Sequence, residues 1–479
     1  MLRGLSAVFV MLASTVAVAE PVVTKLVTQP PQKHLDLATF PGSTVYVNRC
    51  QGGCVANSGP PDATTDTSDL IPAPVTIPDP MIDDTQWAMI MDCVRQVYSP
   101  YNIKVTDVRP TSGLYNETML GGSPADFGQD PNIGGFAPVT SDCTPIGNVV
   151  TFVFASLLPD FAAEDGNNPV FGTCWVLAQE SAHAYGLDHE FSFIDDGSSA
   201  CNDPMTYRSD CGGQKFFRNR FAKCGEFGPA RPACGPQNGC QTTQNSHQKL
   251  LTVFGPGTPI TTPPQVTITD PAPNATVGNG ATIHAMASAQ RGILTMELWL
   301  NGFKWADAPG TRFGSMGQLP ADYALQIPAD VPDSVIDVTV KAFDDLGIET
   351  DATVTITKNK ACSDAATDCL TGQKCESGKC FWDPPTKNVG DSCTYPQECI
   401  SLDCEGDNTV KICTQSCIPN TGNACPNGLD CVASSPTMGV CFLPDSGGGC
   451  CSVDSSGSLW AHAGFGMFVL AMLLRRRRR

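Results

Sequence analysis

Two of the six histidines, His183 and His189, fall in one short stretch that begins Gln179-Glu180. On a helix, residues four apart leave from one face, so Gln179 and His183 would point the same way with Glu180 beside them. Neutral imidazole is a good ligand for a transition metal, and a carboxylate beside such a site can act as general base toward a metal-bound water. Gly186 follows His183 by three residues and frees the chain to turn sharply, which brings His189 back as a further nitrogen donor. Just downstream, Asp203-Pro204-Met205-Thr206-Tyr207 adds a thioether and a phenol. The chemistry open to such a set is metal-assisted hydrolysis.

These residues resemble the signature of the metzincin zinc peptidases, H-E-x-x-H-x-x-G-x-x-H followed by a turn that carries a Met, with Gln179 in place of the first His. The resemblance implies Zn2+ as cofactor, with His183 and His189 as ligands and Gln179 contributing its carbonyl oxygen. It implies that Glu180 is the general base, that Gly186 makes the turn and that Met205 lies beneath the metal site. Tyr207 matches the M-x-Y spacing of the astacin and serralysin branches, where this Tyr ligates zinc or stabilises the oxyanion. Glu190 resembles the astacin-type extension, and Gly134-Gly135-Phe136-Ala137-Pro138-Val139 resembles the edge strand that holds extended peptides by β-augmentation. An amide oxygen is a weaker and looser ligand than imidazole, so Tyr207 or a second water could fill the remaining position. His34, His247, His284 and His462 read as packed or solvated side chains, not as replacements for the lost imidazole. The function implied is a cell-surface or secreted zinc-dependent endopeptidase acting on peptide or protein. The alternative is a catalytically inactive metzincin-like protein serving as a surface adhesion or peptide-binding module.

The elements that must position this set lie in a mixed α/β region over residues 43–256. Strands are expected at Val45-Tyr46-Val47, at Ile103 to Thr106 and at Val149 to Leu157. Trp87, Met91, Val94 and Val97 recur at helical spacing, so Asp84 to Tyr98 is read as an amphipathic helix. Asn168-Pro169 opens a second helix that runs to about Tyr185 and stops at Gly186. A Thr/Pro-rich linker over 257–264 leads into alternating strands over 265–358, punctuated by turns such as Asn301-Gly302, which suggest an immunoglobulin-like β-sandwich. The fold class is therefore multidomain: an α/β metzincin-like domain, an all-β sandwich, then small disulfide-rich repeats.

The 24 cysteines fall as ten between Cys50 and Cys240, twelve between Cys362 and Cys441, and the pair Cys450-Cys451. Both internal sets are even, so disulfides are the default reading. Cys50 and Cys54 are read as a small disulfide loop or as paired with distant partners. The twelve split into three groups of four with similar spacing, a tandem array over 361–442 in which crosslinks stand in for a hydrophobic core.

Residues 1–19 have a basic start, an apolar run and an Ala17-Val18-Ala19 end, as in a secretory signal peptide, and 20–42 read as a polar leader. At the other end, over 443–479, a Gly-rich tether, Cys450-Cys451, an apolar run from Leu459 to Leu474 and five arginines resemble the myxobacterial C-terminal sorting signal called MYXO-CTERM. The expectation is an exported chain at the outer surface or cell envelope, in contact with the membrane through this C-terminal segment. The formal net charge of −19 disfavours nucleic acid as a partner, because phosphate would be repelled.

Overall fold

The computed structural model describes residues 23–29, 43–159, 168–194, 201–208, 212–225, 243–311, 318–406, 410–417, 425–433 and 439–443. The stretch read as a signal peptide, the one read as a C-terminal sorting signal, and Cys450 and Cys451 lie outside the described residues. Among the described residues no helix is long and apolar enough to cross a membrane. The chain divides into two compact units between Phe381 and Trp382.

The first unit begins with a six-stranded sheet. Its strands are β1 (Val23–Gln29), β2 (Thr44–Asn48), β3 (Lys104–Thr106), β4 (Asn116–Leu120), β5 (Ile133–Thr140) and β6 (Val150–Val153), in the spatial order β1-β5-β6-β4-β2-β3. All neighbours run parallel except β5 and β6, which are antiparallel. Helix α1 (Asp84–Tyr98) starts at Asp83, whose carboxylate accepts the Gln86 backbone N–H. Helix α2 (Pro169–His183) starts at Asn168, whose side chain accepts the Val170 and Phe171 N–H groups, with Pro169 preset for the first turn. The apolar faces of both helices and of α3 (Ser246–Phe254) meet one face of the sheet in a core that includes Val45, Trp87, Val94, Trp175 and Leu250. The other face carries an aromatic cluster of Phe127, Phe136, Phe152 and Phe154.

This sheet departs from the sequence reading at three places. The strand expected from Val149 to Leu157 ends at Val153, and Ala155–Leu157 turn as a 3-10 helix. Strand β4 carries Asn116 and Glu117, polar residues that gave no strand signal. Both are buried in the sheet, where Asn116 bonds the Ile146 carbonyl and the Val149 N–H, and Glu117 accepts from Asn48 and Arg109. The leader contributes β1, which pairs in parallel with β5 from Val23/Ile133 to Gln29/Thr140. The strand expected to be an edge open to peptide is therefore flanked on both sides.

Helix α1 is tied to α2 by the Cys93–Cys174 disulfide and by the Tyr98 hydroxyl, 2.7 Å from Ser181 Oγ and donating to the Ala178 carbonyl at 3.1 Å. After α3 comes the sandwich. One sheet contains Gln265–Asp270, Thr282–Ser288 and Ala321–Gln326; the other contains Thr276–Val277, Glu349–Lys358, Val335–Phe343, Thr295–Leu300 and Phe303–Pro309. Buried and part-exposed residues alternate strictly along Thr282–Ser288 and Val335–Phe343, as expected of strands with one face on a core. The strand Phe303–Pro309, which alternation did not reveal, is an outer strand that ends in a proline. Asn301 and Gly302, both at positive φ, join it to its neighbour in a two-residue hairpin.

The disulfide groups repeat one connectivity, first to third and second to fourth: Cys362–Cys375 and Cys369–Cys380, Cys393–Cys404 and Cys399–Cys413, Cys417–Cys431 and Cys425–Cys441. The first group belongs to the first unit and is bound to the sandwich, with Val335 N–H on the Gly378 carbonyl and Asn301 Nδ2 on the Cys380 carbonyl. The other two groups lie in the second unit. Cys50–Cys54 forms the small loop, and Cys143, Cys201 and Cys224 are disulfide-bonded as well.

Candidate metal centre

The C-terminal turn of α2 carries Gln179, Glu180 and His183, all fully buried. The helix stops because the next residues leave the helical path at Gly186, whose φ is +79°. A Cβ there would lie 2.1 Å from the Cys143 carbonyl oxygen, so only glycine fits both the conformation and the space. The opposing strap is held by Ile146 N–H on the Ala184 carbonyl and by Lys249 Nζ on the Cys143 carbonyl.

The turn directs the Leu187 carbonyl back onto the helix, 2.8 Å from His183 Nδ1. A carbonyl only accepts, so Nδ1 carries the proton and Nε2 carries the lone pair. That Nε2 is buried and has no hydrogen-bond partner. Burial holds the His183 ring down at a pKa of about 4, opposed in part by its bond to Leu187, so the imidazole is neutral at physiological pH.

His189 follows with its N–H on Asp188 Oδ1, and its ring meets that of His183 edge to face at a centroid distance of 4.7 Å. The segment is anchored by Gln244, whose amide accepts from Asp188 N–H and donates to the Asp188 carbonyl and to Glu190 Oε1. Glu190 is fully buried, and burial together with the nearby Asp203 and Asp188 charges pushes its carboxyl well up.

Glu190 N–H donates to the Met205 carbonyl, which joins the histidine segment to the downstream turn. Met205 is fully buried in the core that holds Trp175, Ala182 and Leu187. Asp203 shapes this turn by accepting the Met205 N–H at Oδ1, while Trp175 Nε1 donates to the Pro204 carbonyl. Tyr207 then reaches the nitrogen side of His189, with its hydroxyl 2.8 Å from Nδ1 and 3.1 Å from Nε2. The structure thus gathers His183, His189 and Tyr207 into direct contact and sets Gln179 one helical turn from His183.

Glu180 faces β5. A Cβ on Gly135 would stand 2.8 Å from Glu180 Cγ, 2.9 Å from Cδ and 2.6 Å from the Phe152 carbonyl oxygen. Gly135 therefore makes room for the carboxylate against the strand expected to hold peptide, a role that spacing along the chain does not reveal. His247 lies elsewhere, hydrogen-bonded through Nδ1 to Tyr101, and His284 is on the sandwich, paired with Asp322.

Among the described residues, three sets of His, Cys, Asp or Glu donor atoms lie close enough together to hold a metal: Cys362, Cys369 and Cys375; Cys393, Cys399 and Cys404; Cys417, Cys425 and Cys441. As disulfides these sulfurs offer no thiolate, so they are crosslinks, and only their reduced forms could ligate.

No curated protein matches the chain. Among solved structures, the fibronectin(III)-like modules of Clostridium thermocellum CbhA align at 12% identity over 20% of this chain and 94% of theirs, with a TM-score of 0.15. Wild-type OgpA from Akkermansia muciniphila aligns at 11% identity over 52% of this chain and 66% of its own, with a TM-score of 0.16. Scores this low carry no argument about function. Residues 264–356 match the family described as Bacterial Ig domain, and this segment of the chain is an Ig-like domain.

Proposed function

We propose that residues 43–256 form a zinc-dependent endopeptidase domain of an exported protein, acting on peptide or protein at the outer surface or cell envelope. The observation that carries this reading is His183. Its Nδ1 is fixed as a donor, its Nε2 is buried without a partner, and the ring is neutral and set against His189. A buried lone pair costs free energy unless something binds it, and a ligating histidine typically has its other nitrogen held by a carbonyl. The residues present fit zinc: His183 and His189 would hold it, with the Gln179 oxygen from the same helical face as a third donor.

Zinc, when bound, supplies Lewis acidity toward a scissile carbonyl and lowers the pKa of a coordinated water. Glu180 takes the proton of the attacking water and delivers it to the leaving amine. The Tyr207 hydroxyl donates to the oxygen that gains charge. Strand β5, against which Glu180 lies, is paired on both sides, so it aligns an extended substrate by backbone hydrogen bonds only where β1 (Val23–Gln29) gives way to the peptide. Disulfides at Cys93–Cys174 and throughout the Cys-rich groups support an oxidising, exported setting.

Gln179 is the feature that favours the second reading, a peptide-binding module without turnover, because it removes one imidazole. Elemental analysis and cleavage of an unfolded protein decide between them. The expected result is near-stoichiometric zinc and turnover abolished by Glu180→Ala. Wild-type protein that holds no zinc, beside a Gln179→His variant that does, would make the native protein a pseudoenzyme at this site, and tight peptide binding without turnover would then favour the binding module.

A further inference from the structure

The turn that places Met205 and Tyr207 does not stand on the α/β domain alone. Asn202 and Asp203, which open it, are both held by Arg218. The Arg218 backbone N–H donates to Asp203 Oδ2 at 2.8 Å, its Nε donates to the Asn202 carbonyl at 3.1 Å, and its Nη2 donates to Asn202 Oδ1. Arg218 is 1% exposed, so its charge needs a buried counter-charge. The larger counter-charge comes from Asp345 of the Ig-like domain, with a smaller one from Asp203.

Asp345, in the turn between strands Val335–Phe343 and Glu349–Lys358, accepts from Arg218 Nη1 at 3.3 Å and from Arg291 Nε and Nη2 at 2.7 and 3.0 Å. Arg291, itself 1% exposed, leaves the turn after strand Thr282–Ser288. It donates to the Phe217 carbonyl at 3.0 Å and lies over the Phe216 ring at 4.7 Å, while Arg218 Nη1 donates to the Arg291 carbonyl. Two loops of the sandwich therefore close on one arginine of the α/β domain, around two phenylalanines that are fully buried.

A spacer module would need no such contact. Interfaces between independent domains are commonly polar and hydrated, whereas this one buries two guanidinium groups around one carboxylate. Removing the carboxylate leaves two like charges facing each other out of water, and on the α/β side that repulsion falls on the guanidinium of Arg218, which also holds Asn202. A shift of the Arg218 guanidinium acts on Asn202 directly and on the neighbouring Asp203, which Ser246 Oγ also holds, and through them on the Met205 N–H and the Tyr207 hydroxyl on His189.

We propose that the Ig-like domain is a positioning element of the candidate metal centre, with Asp345 and Arg291 acting through Arg218 on the turn that carries Met205 and Tyr207. The significance for zinc rests on the function proposed above; the coupling between the domains does not. Hydrogen exchange of the full-length, metal-free protein tests it. In Asp345→Ala, amides of residues 202–207 should exchange at least tenfold faster, while those of strand Thr44–Asn48 keep wild-type rates. The ring nitrogen signals of His189 should move in the direction produced by Tyr207→Phe, and those of His284 should stay. If Asp345→Ala does not accumulate in folded form, Arg291→Lys, which keeps the charge and loses the two-pronged grip, is read the same way. Unchanged exchange at 202–207 in a folded variant, or an equal rise in Thr44–Asn48, would overturn the proposal. Absence of zinc from the wild type would leave these readings intact and count only against the peptidase.

Discussion

Glu180 does the decisive work in the proposed reaction, and its position depends on the absence of a side chain at Gly135. Alanine there puts a methyl group within 3 Å of both the Glu180 side chain and the Phe152 carbonyl. The strand carbonyl cannot move without breaking the β5–β6 pairing, so the carboxylate yields. A displacement of about 1 Å at a reacting group costs roughly 10²-fold in rate. Gly135→Ala is therefore expected to lose about two orders of magnitude in cleavage while retaining zinc, since the atoms nearest the added methyl belong to Phe152 and Glu180 and not to His183 or His189. Measured turnover beside metal content checks this, and undiminished turnover would remove Glu180 from the role of base. The contrast between these residues also shows what a sequence can convey. Gln179, Glu180, His183, Gly186 and His189 are legible because helix period and one sharp turn relate them locally. Gly135, Asn202 and Arg218 act through contacts between distant segments; the sequence marks Gly135 only as part of an expected strand, and nothing in their spacing marks these contacts.

At the scale of elements, α2 is legible from its Asn-Pro start and its glycine stop, and α1 from its apolar period. The polar strand β4 is not, because its burial depends on partners such as Arg109 and Ile146 supplied by other segments. The Cys93–Cys174 disulfide joins the two helices across 81 residues, a loop whose closure is worth roughly 4–5 kcal/mol in the unfolded chain. The double variant Cys93→Ala/Cys174→Ala should lose stability of that order in denaturant titration, and a loss under about 1 kcal/mol would show that packing alone holds α1 to α2. Strand β1 bears on binding. A peptide that adds to β5 on the side away from β6 must displace Val23–Gln29, which already pairs there. Protein that begins at Ser43 is expected to bind an extended peptide at least tenfold more tightly than protein retaining the leader, by calorimetric titration. Equal affinities would mean that peptide docks elsewhere.

The whole first unit is joined by the buried carboxylate between two domains, and that gives it a pH signature. Burial alone would raise the Asp345 pKa, but Arg291 and Arg218 outweigh it and hold the carboxyl at about 2, below its ordinary value of 3.8. A carboxylate with a depressed folded-state pKa contributes stability that is complete above about 3.8 and is lost as pH falls toward 2. The difference corresponds to roughly 2 kcal/mol. Asp345→Asn keeps the shape of the protonated acid and removes the charge, so it should be less stable than wild type by about that amount at pH 5 and above. The gap should close as pH is lowered through 3.8 toward 2, because the wild-type carboxyl then becomes neutral too. Other carboxyl groups titrate in the same range, but they are common to both proteins and cancel in the difference. Calorimetric melting of the two proteins between pH 2 and 6 makes the comparison. A gap that persists unchanged at pH 2 would mean that Asp345 joins the domains by shape and hydrogen bonding, with its charge contributing nothing to the union.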